Sequence, residues 1–408
     1  MRFVGLLVIV MGCCSWCAPP AWAGHTVTPP GLPSGWADSS ARSDTENDPS
    51  SPVYKLGVGM ANALNKGDAQ AAANFVNTRA LRKRVARSMY TDAEQQRAIE
   101  NGYNNRSMQQ VFEGYCTTLR RNQGSAKFMR VVMHAGEPRA LVRLDAGGEG
   151  LDYLEFLVDR DDSGEYRVID WYQLTRGRLA SDSLGAMVRL MSDPDQSLLH
   201  RLFATTSFSA DTVEKLRQVG ALEHQGKYAE SLALMNQLPP ELADSVEVLR
   251  LRVADASRSK NDAEYYRTLG ILARKYGDDL SVAMLLVDYY LKEKRFDKVQ
   301  VGLTMIENRV GSDGLTNTLR SNFYQQTGEY DQAVAYARKA VQLEPDLRRA
   351  WVALASGYVL QKNYPQAVAT YRTLQTRFGL NLTRKQFEGN PAFGPFLQSE
   401  AFKKWLPR

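Results

Sequence analysis

Cysteine is scarce: 4 residues in 408, and Cys13, Cys14 and Cys17 all fall near the N-terminus. A chain that loses residues 1–23 keeps Cys116 alone, which excludes an internal disulfide framework and leaves stability to packing. Histidine is equally sparse. His25, His134, His200 and His224 are scattered, and no HExxH or paired CxxC follows the first segment. No apolar run reaches the roughly 20 residues of a spanning helix, so a multi-span membrane protein is excluded. A glycine-rich phosphate loop is missing too, because Gly57-Val58-Gly59 lacks its third glycine and a preceding strand. The charge excess is only +6, and about +5 without Arg2, too mild for a nucleic-acid binder. What remains, 44% hydrophobic and 24% charged, is ordinary globular composition, and the length suits two or three domains.

The first segment places a basic Arg2 before the apolar run Phe3–Met11, then Ala21-Trp22-Ala23 before Gly24. That is a secretory signal with a small-x-small cleavage site, assigning 1–23 to a signal peptide. Val10-Met11-Gly12-Cys13 offers the competing lipoprotein reading, with lipid on Cys13, although Met11 is large for that box and Val10 replaces Leu. Either reading exports the chain to the periplasm or cell envelope of a bacterium. Residues 24–53 hold five prolines among Ser, Asp, Gly and Thr, so a disordered linker is expected.

From 54 to about 122 the apolar spacing is helical. Met60, Ala61 and Leu64 share a face, Asn65-Lys66-Gly67-Asp68 supplies a stop and a cap, and a short helix through Ala71, Ala72 and Phe75 follows. Ile99, Tyr103, Met108, Phe112, Tyr115 and Leu119 form the stripe of a long helix that also carries Cys116, a small buried apolar residue. Arg79, Arg82, Lys83, Arg84 and Arg87 read as a solvated helix face, with contact to an anionic envelope surface as the alternative. The period then becomes two, with strands at 128–133, 139–144, 151–158 and 166–174. Helices followed by an antiparallel meander make 54–205 an α+β domain. Gly67-Asp68 after the first helix and the last strand Val168-Ile169-Asp170-Trp171-Tyr172 resemble the NTF2-like (cystatin-like) fold. That resemblance implies a curved sheet around a helix, with a conical pocket in many members and catalysis in some.

The C-terminal half is periodic. Tyr290, Tyr324 and Tyr358 recur every 34 residues, as do Phe296, Tyr330 and Tyr364, and Val299, Ala333 and Ala367. Trp351, Leu354, Ala355, Tyr358, Ala367 and Tyr371 complete one unit, and Tyr324, Ala333, Ala340 and Pro345 another, with Ser321 at the small position. This segment is identified as a tetratricopeptide superhelix. Small residues sit where paired helices cross, aromatics fill the gaps between hairpins, and Pro345 ends one helix. The register extends to about five hairpins over 206–381, at 212–245, 246–279, 280–313, 314–347 and 348–381. Asp262 stands where an aromatic belongs, which leaves room for a distorted second hairpin. The tail from 382 to 408, with Phe387, Phe393, Phe396, Phe402 and Trp405, reads as a cap over the last apolar face.

Chemistry is thin. Asp159, Asp161, Ser163 and Gly164, with Asp170 in twelfth place, imitate a calcium loop, but strands on both flanks favour a polar hairpin turn. Proton transfer in a cone would need an inward carboxylate and phenol, for which Asp152, Asp170, Tyr153 and Tyr172 are candidates. Asp170 should oppose both Ile169 and Trp171 across the sheet, and solvated polar residues on a one-sided sheet are the ordinary case. The sequence therefore reads as a non-catalytic interaction scaffold without metal or cofactor. A protein or peptide partner would lie in a groove lined by Arg250, Asp288, Lys292, Asn322, Gln325 and Arg349. The alternative is a small-molecule-binding or catalytic N-terminal domain with the repeats as a docking arm. Nucleic acid is not expected, and membrane contact only through a lipid on Cys13.

Overall fold

The computed structural model describes residues 48–89, 105–121, 124–134, 136–146, 151–185 and 209–406. The expected signal segment 1–23 with Cys13, residues 24–47 of the expected linker, Ile99, Tyr103, His25 and His200 lie outside the described residues, while the linker's last residues, Pro52 and Val53, already belong to the first helix, with Val53 buried. By compactness the chain divides at Tyr289/Tyr290 into two units.

The first unit begins with helix α1 (Pro52–Lys66), which has proline in its first turn and ends at Gly67 in the left-handed region, φ 68°. Asp68 then caps α2 (Ala69–Asn74) by accepting from the Ala71 amide. Helix α3 (Thr78–Met89) and helix α4 (Asn105–Arg121) follow. The strands β1 (Ser125–His134), β2 (Glu137–Asp145), β3 (Leu151–Arg160), β4 (Tyr166–Gln173) and the two-residue β5 (Arg178–Leu179) form an antiparallel meander in sequence order. Helix α1 lies over β1 and β2, where Gly57 approaches so closely that a Cβ there would stand 2.3 Å from the Phe128 ring. Gly59 meets Phe75 in the same way, at 2.5 Å. The Gly57-Val58-Gly59 motif is thus a packing seam. The likeness to the NTF2-like fold rests on this element order alone.

Two expectations about the sheet need correction. First, a bulge at Ile169 interrupts pairing, so Leu157 faces Asp170 while Val158 faces Val168. Val168 and Trp171 consequently share the core face, and Ile169 does not oppose Asp170 in a regular alternation. Second, the other face of the sheet is not solvated. Arg143, Tyr153, Glu155 and Asp170 are all buried, and Arg139 reaches Glu155 at 3.3 Å. The turn after β3 is a polar hairpin. The Asp161 carboxylate accepts from the amides of Ser163 and Glu165 and from Arg167 Nε, while Asp170 sits apart, inside the protein.

The helical array begins in this same unit. Helices α5 (Ala210–His224), α6 (Tyr228–Met235) and the single turn α7 (Pro240–Ala243) lead to α8 (Val246–Arg258) and α9 (Asp262–Tyr276). Helix α10 (Leu280–Lys292) spans the division between the units. In the second unit α11 (Phe296–Val310), α12 (Gly314–Thr327), α13 (Tyr330–Leu343), α14 (Arg348–Leu360) and α15 (Tyr364–Phe378) continue the pattern. Helices starting at 246, 280, 314 and 348 alternate with helices starting at 228, 262, 296, 330 and 364, which is the 34-residue register. The second hairpin is regular, without the distortion that Asp262 left room for. Asn261 caps α9, Asp262 adds a negative charge beside the helix N-terminus, and Tyr265 supplies the buried ring one turn later. The first is the short one, because Pro239 and Pro240 end α6 early and start a new turn.

Five turns repeat one local geometry. Gly226, Lys260, Lys294, Gly328 and Lys362 have φ between 55° and 83° and are spaced by the repeat. The next amide in each turn donates back to the carbonyl of residue 222, 256, 290, 324 or 358, at 2.8–3.0 Å. This is a Schellman-type helix end in every hairpin. Ala333, Ala367 and Val299, the small or slim residues of the pattern, are fully buried. The tail folds as α16 (Lys385–Glu388), a 3₁₀ turn at Pro391–Phe393, α17 (Gly394–Gln398) and α18 (Glu400–Trp405). Phe387, Phe393, Phe396 and Phe402 are fully buried against α14 and α15, and Trp405 stacks on Tyr371 at 5.3 Å.

Candidate functional site

The six proposed groove residues fall into three situations. Arg250 on α8 is already engaged. One guanidinium nitrogen donates to the Arg176 carbonyl at 2.9 Å and another to Ser281 Oγ. Nearby, Gly177 sits against Ser281 at φ 65°, and Arg178 pairs with Glu247 of α8. Arg250 therefore joins the loop after β4 to the first helices of the array. Gln325, half-buried, is likewise engaged. Its amide donates to the Ala353 carbonyl at 2.9 Å, tying α12 to α14. Lys292 is exposed at the end of α10, while Asn322 and Arg349 are half-buried on the neighbouring helices α12 and α14. The Asp288 side chain lies outside the described residues. The structure thus brings Asn322, Gln325 and Arg349 onto one helix pair, and uses Arg250 elsewhere.

Beside that pair, two inter-helix turns border an open cleft of about 630 Å³ lined by Gly328–Gln332 and Leu360–Lys362. Gln361 crosses it to Asp331 Oδ1 at 2.6 Å. Sequence reasoning missed this cleft. Its one signal was the glycine or lysine preceding the aromatic position in each repeat.

In the α+β domain a hydrogen-bonded chain runs across the end of the sheet. Trp171 Nε1 donates to the Tyr115 hydroxyl at 3.3 Å, and Tyr115 donates to Gln173 Oε1 at 3.4 Å. Gln173 Nε2 then donates to Asp152 Oδ2, whose other oxygen accepts from the Thr175 amide at 3.1 Å. Burial raises the Asp152 carboxyl above its ordinary range despite these bonds, and it raises the Tyr115 phenol as well. Asp152, one of the proton-transfer candidates, joins this chain. Tyr153 is buried on the opposite face, and Asp170 accepts from the Trp171 and Ser181 amides with Arg84 at 3.9 Å. Tyr115 and Gln173 were not singled out by sequence, since only the fold brings them within reach of Asp152. Cys116 is buried and its thiol is pushed up by that burial, the opposite of an activated nucleophile.

Residues 316–347 match the family model of the tetratricopeptide repeat, a segment that coincides with the α12–α13 hairpin. No curated protein matches the chain. The C-terminal half therefore contains a repeat of the kind that binds protein partners.

Proposed function

We propose that this chain is an exported cell-envelope protein that works as a non-catalytic scaffold, holding a protein or peptide partner on its repeat helices. The observation that carries the reading is the tetratricopeptide match over α12–α13, whose helix α12 and its neighbour α14 carry the half-buried Asn322 and Arg349. An amide and a guanidinium suit hydrogen bonds and one charge contact to an extended chain. Export is supported by Arg2, the apolar run and Ala21-Trp22-Ala23. The test is cross-linking and capture from envelope extract with the full mature chain beside an Asn322→Ala, Arg349→Glu variant. A partner held by the wild type and lost from the folded variant supports the scaffold. The same proteins held by both remove these helices as the binding face.

A second reading draws on a separate observation, the half-buried Asp152 with its raised carboxyl at the end of the Trp171–Tyr115–Gln173 chain. A carboxyl poised above its ordinary range suits proton exchange with a small ligand. Ligand-observed NMR screening on the full chain discriminates. Hits lost in Asp152→Asn support a small-molecule domain, and an absence of hits, or hits indifferent to that change, removes it.

A further inference from the structure

The start of the second hairpin buries a carboxylate that makes no well-formed hydrogen bond. Asp255, on α8, is 0% exposed, and neither of its oxygens accepts a hydrogen bond from an N–H or hydroxyl group in good geometry. An unsatisfied buried carboxylate is among the costliest groups a protein can hold. The nearest cation is Arg258, one turn further along α8. Its Nη1 stands 4.0 Å from Asp255 Oδ1, while its guanidinium is 40% exposed and lies over the Tyr228 ring. Helix α6 contributes Ser231, fully buried with its hydroxyl making no well-formed hydrogen bond. Lys227 at the N-cap of that helix and Glu230 in its first turn pair with each other at 3.8 Å. The remaining group comes from the last turn of α5: the half-buried Glu223, whose carboxyl meets that of Asp255.

Two carboxylates in contact in a poorly solvated site do not both ionise. A neutral Glu223 supplies an O–H donor to Asp255, beside the buried Ser231 hydroxyl. We propose that one proton shared between Glu223 and Asp255 fastens α5 to α8, making the start of the helical array a clasp that tightens in acid and loosens in alkali.

The electrostatics agree with the geometry. Burial first, and the Asp255 charge second, push the Glu223 carboxyl up to about 7, with Arg258 opposing them. Burial raises Asp255 too, against the pull of Ser231, Glu223 and Arg258. Between the ordinary carboxylate range and pH 7 the folded chain therefore holds a proton that the unfolded chain has released. The stabilisation from this proton is present at low pH and is lost as pH rises through about 7.

The experiment follows thermal unfolding of the full mature chain from pH 5.5 to 8.5, for wild type and Glu223→Gln. The amide keeps a donor at every pH, so the wild-type midpoint should fall by several degrees relative to the variant across pH 7. Parallel curves overturn the proposal. If Glu223→Gln does not fold, hydrogen exchange on the wild type decides the matter. Protection of residues 211–224, corrected for the intrinsic pH effect and compared with 348–360, drops through pH 7 if the clasp exists. Protection that changes equally in both segments rules it out. Neither readout involves a partner, so the outcome is independent of the scaffold assignment.

Discussion

Lys260, Lys294 and Lys362 occupy a backbone region that costs a residue with a Cβ about 1 kcal/mol, where Gly226 and Gly328 pay nothing. The hairpin geometry imposes the conformation, and the sequence tolerates it three times. Replacing Lys260 or Lys362 with glycine should therefore raise stability by about 0.5–1 kcal/mol each, less some loss to unfolded-chain entropy, as read from urea midpoints. Gly328→Ala should lower it by about 1 kcal/mol in the same assay. Asp161 gives a second residue-scale expectation. Bonds from Ser163 and then Arg167 hold its carboxyl down at about 2. Its folded value is depressed, so the turn is fully supported above the ordinary carboxylate range and is lost only as pH falls through about 2. An NMR titration of its carboxyl carbon should find that midpoint, and a value near 4 would mean the turn bonds do not persist in solution.

Among the elements, α1 and the C-terminal cap are the most exacting. Gly57→Ala gains up to about 1 kcal/mol of helix propensity but drives a methyl into the Phe128 ring. The net effect should be a loss of about 1–2 kcal/mol, and a neutral or stabilised variant would show that Phe128 moves freely. Phe387 makes edge contacts with Tyr371, Phe396, Phe402 and Trp405 and is fully buried. Phe387→Ala should cost about 3–5 kcal/mol and release protection from α15 before α12, because each repeat is stabilised mainly by its neighbours. Uniform loss across α12–α15 would show that the cap is not the end-piece of the array. Both elements were visible in sequence as apolar or aromatic spacing. The close approach at Gly57 was not, since a helical glycine pair and the start of a phosphate loop share the same letters.

For the whole molecule, the proposed removal of residues 1–23 would leave one cysteine, so reductant should leave the unfolding midpoint of that mature form unchanged. Cys116 should react with a thiol reagent only at the rate of unfolding. If the chain is exported as proposed, N-terminal sequencing of its mature form should begin at Gly24, and lipid on Cys13 would replace that outcome with the lipoprotein form.

Periodicity alone determined the array. A repeat of 34 writes its register many times over, so Asp262 and Ser321 did not obscure it, and helices begin where the spacing put them. The order of helices and strands before it was legible for the same reason, because burial on one face leaves a period. What only the tertiary structure decided are meetings between residues distant in sequence. The bulge at Ile169 reset the face of β4, Arg250 was drawn to the Arg176 carbonyl, and Glu223 was set against Asp255. None of these leaves a local pattern, since each depends on how far apart two elements come to rest, and a shift of one residue in pairing reverses which side chains meet.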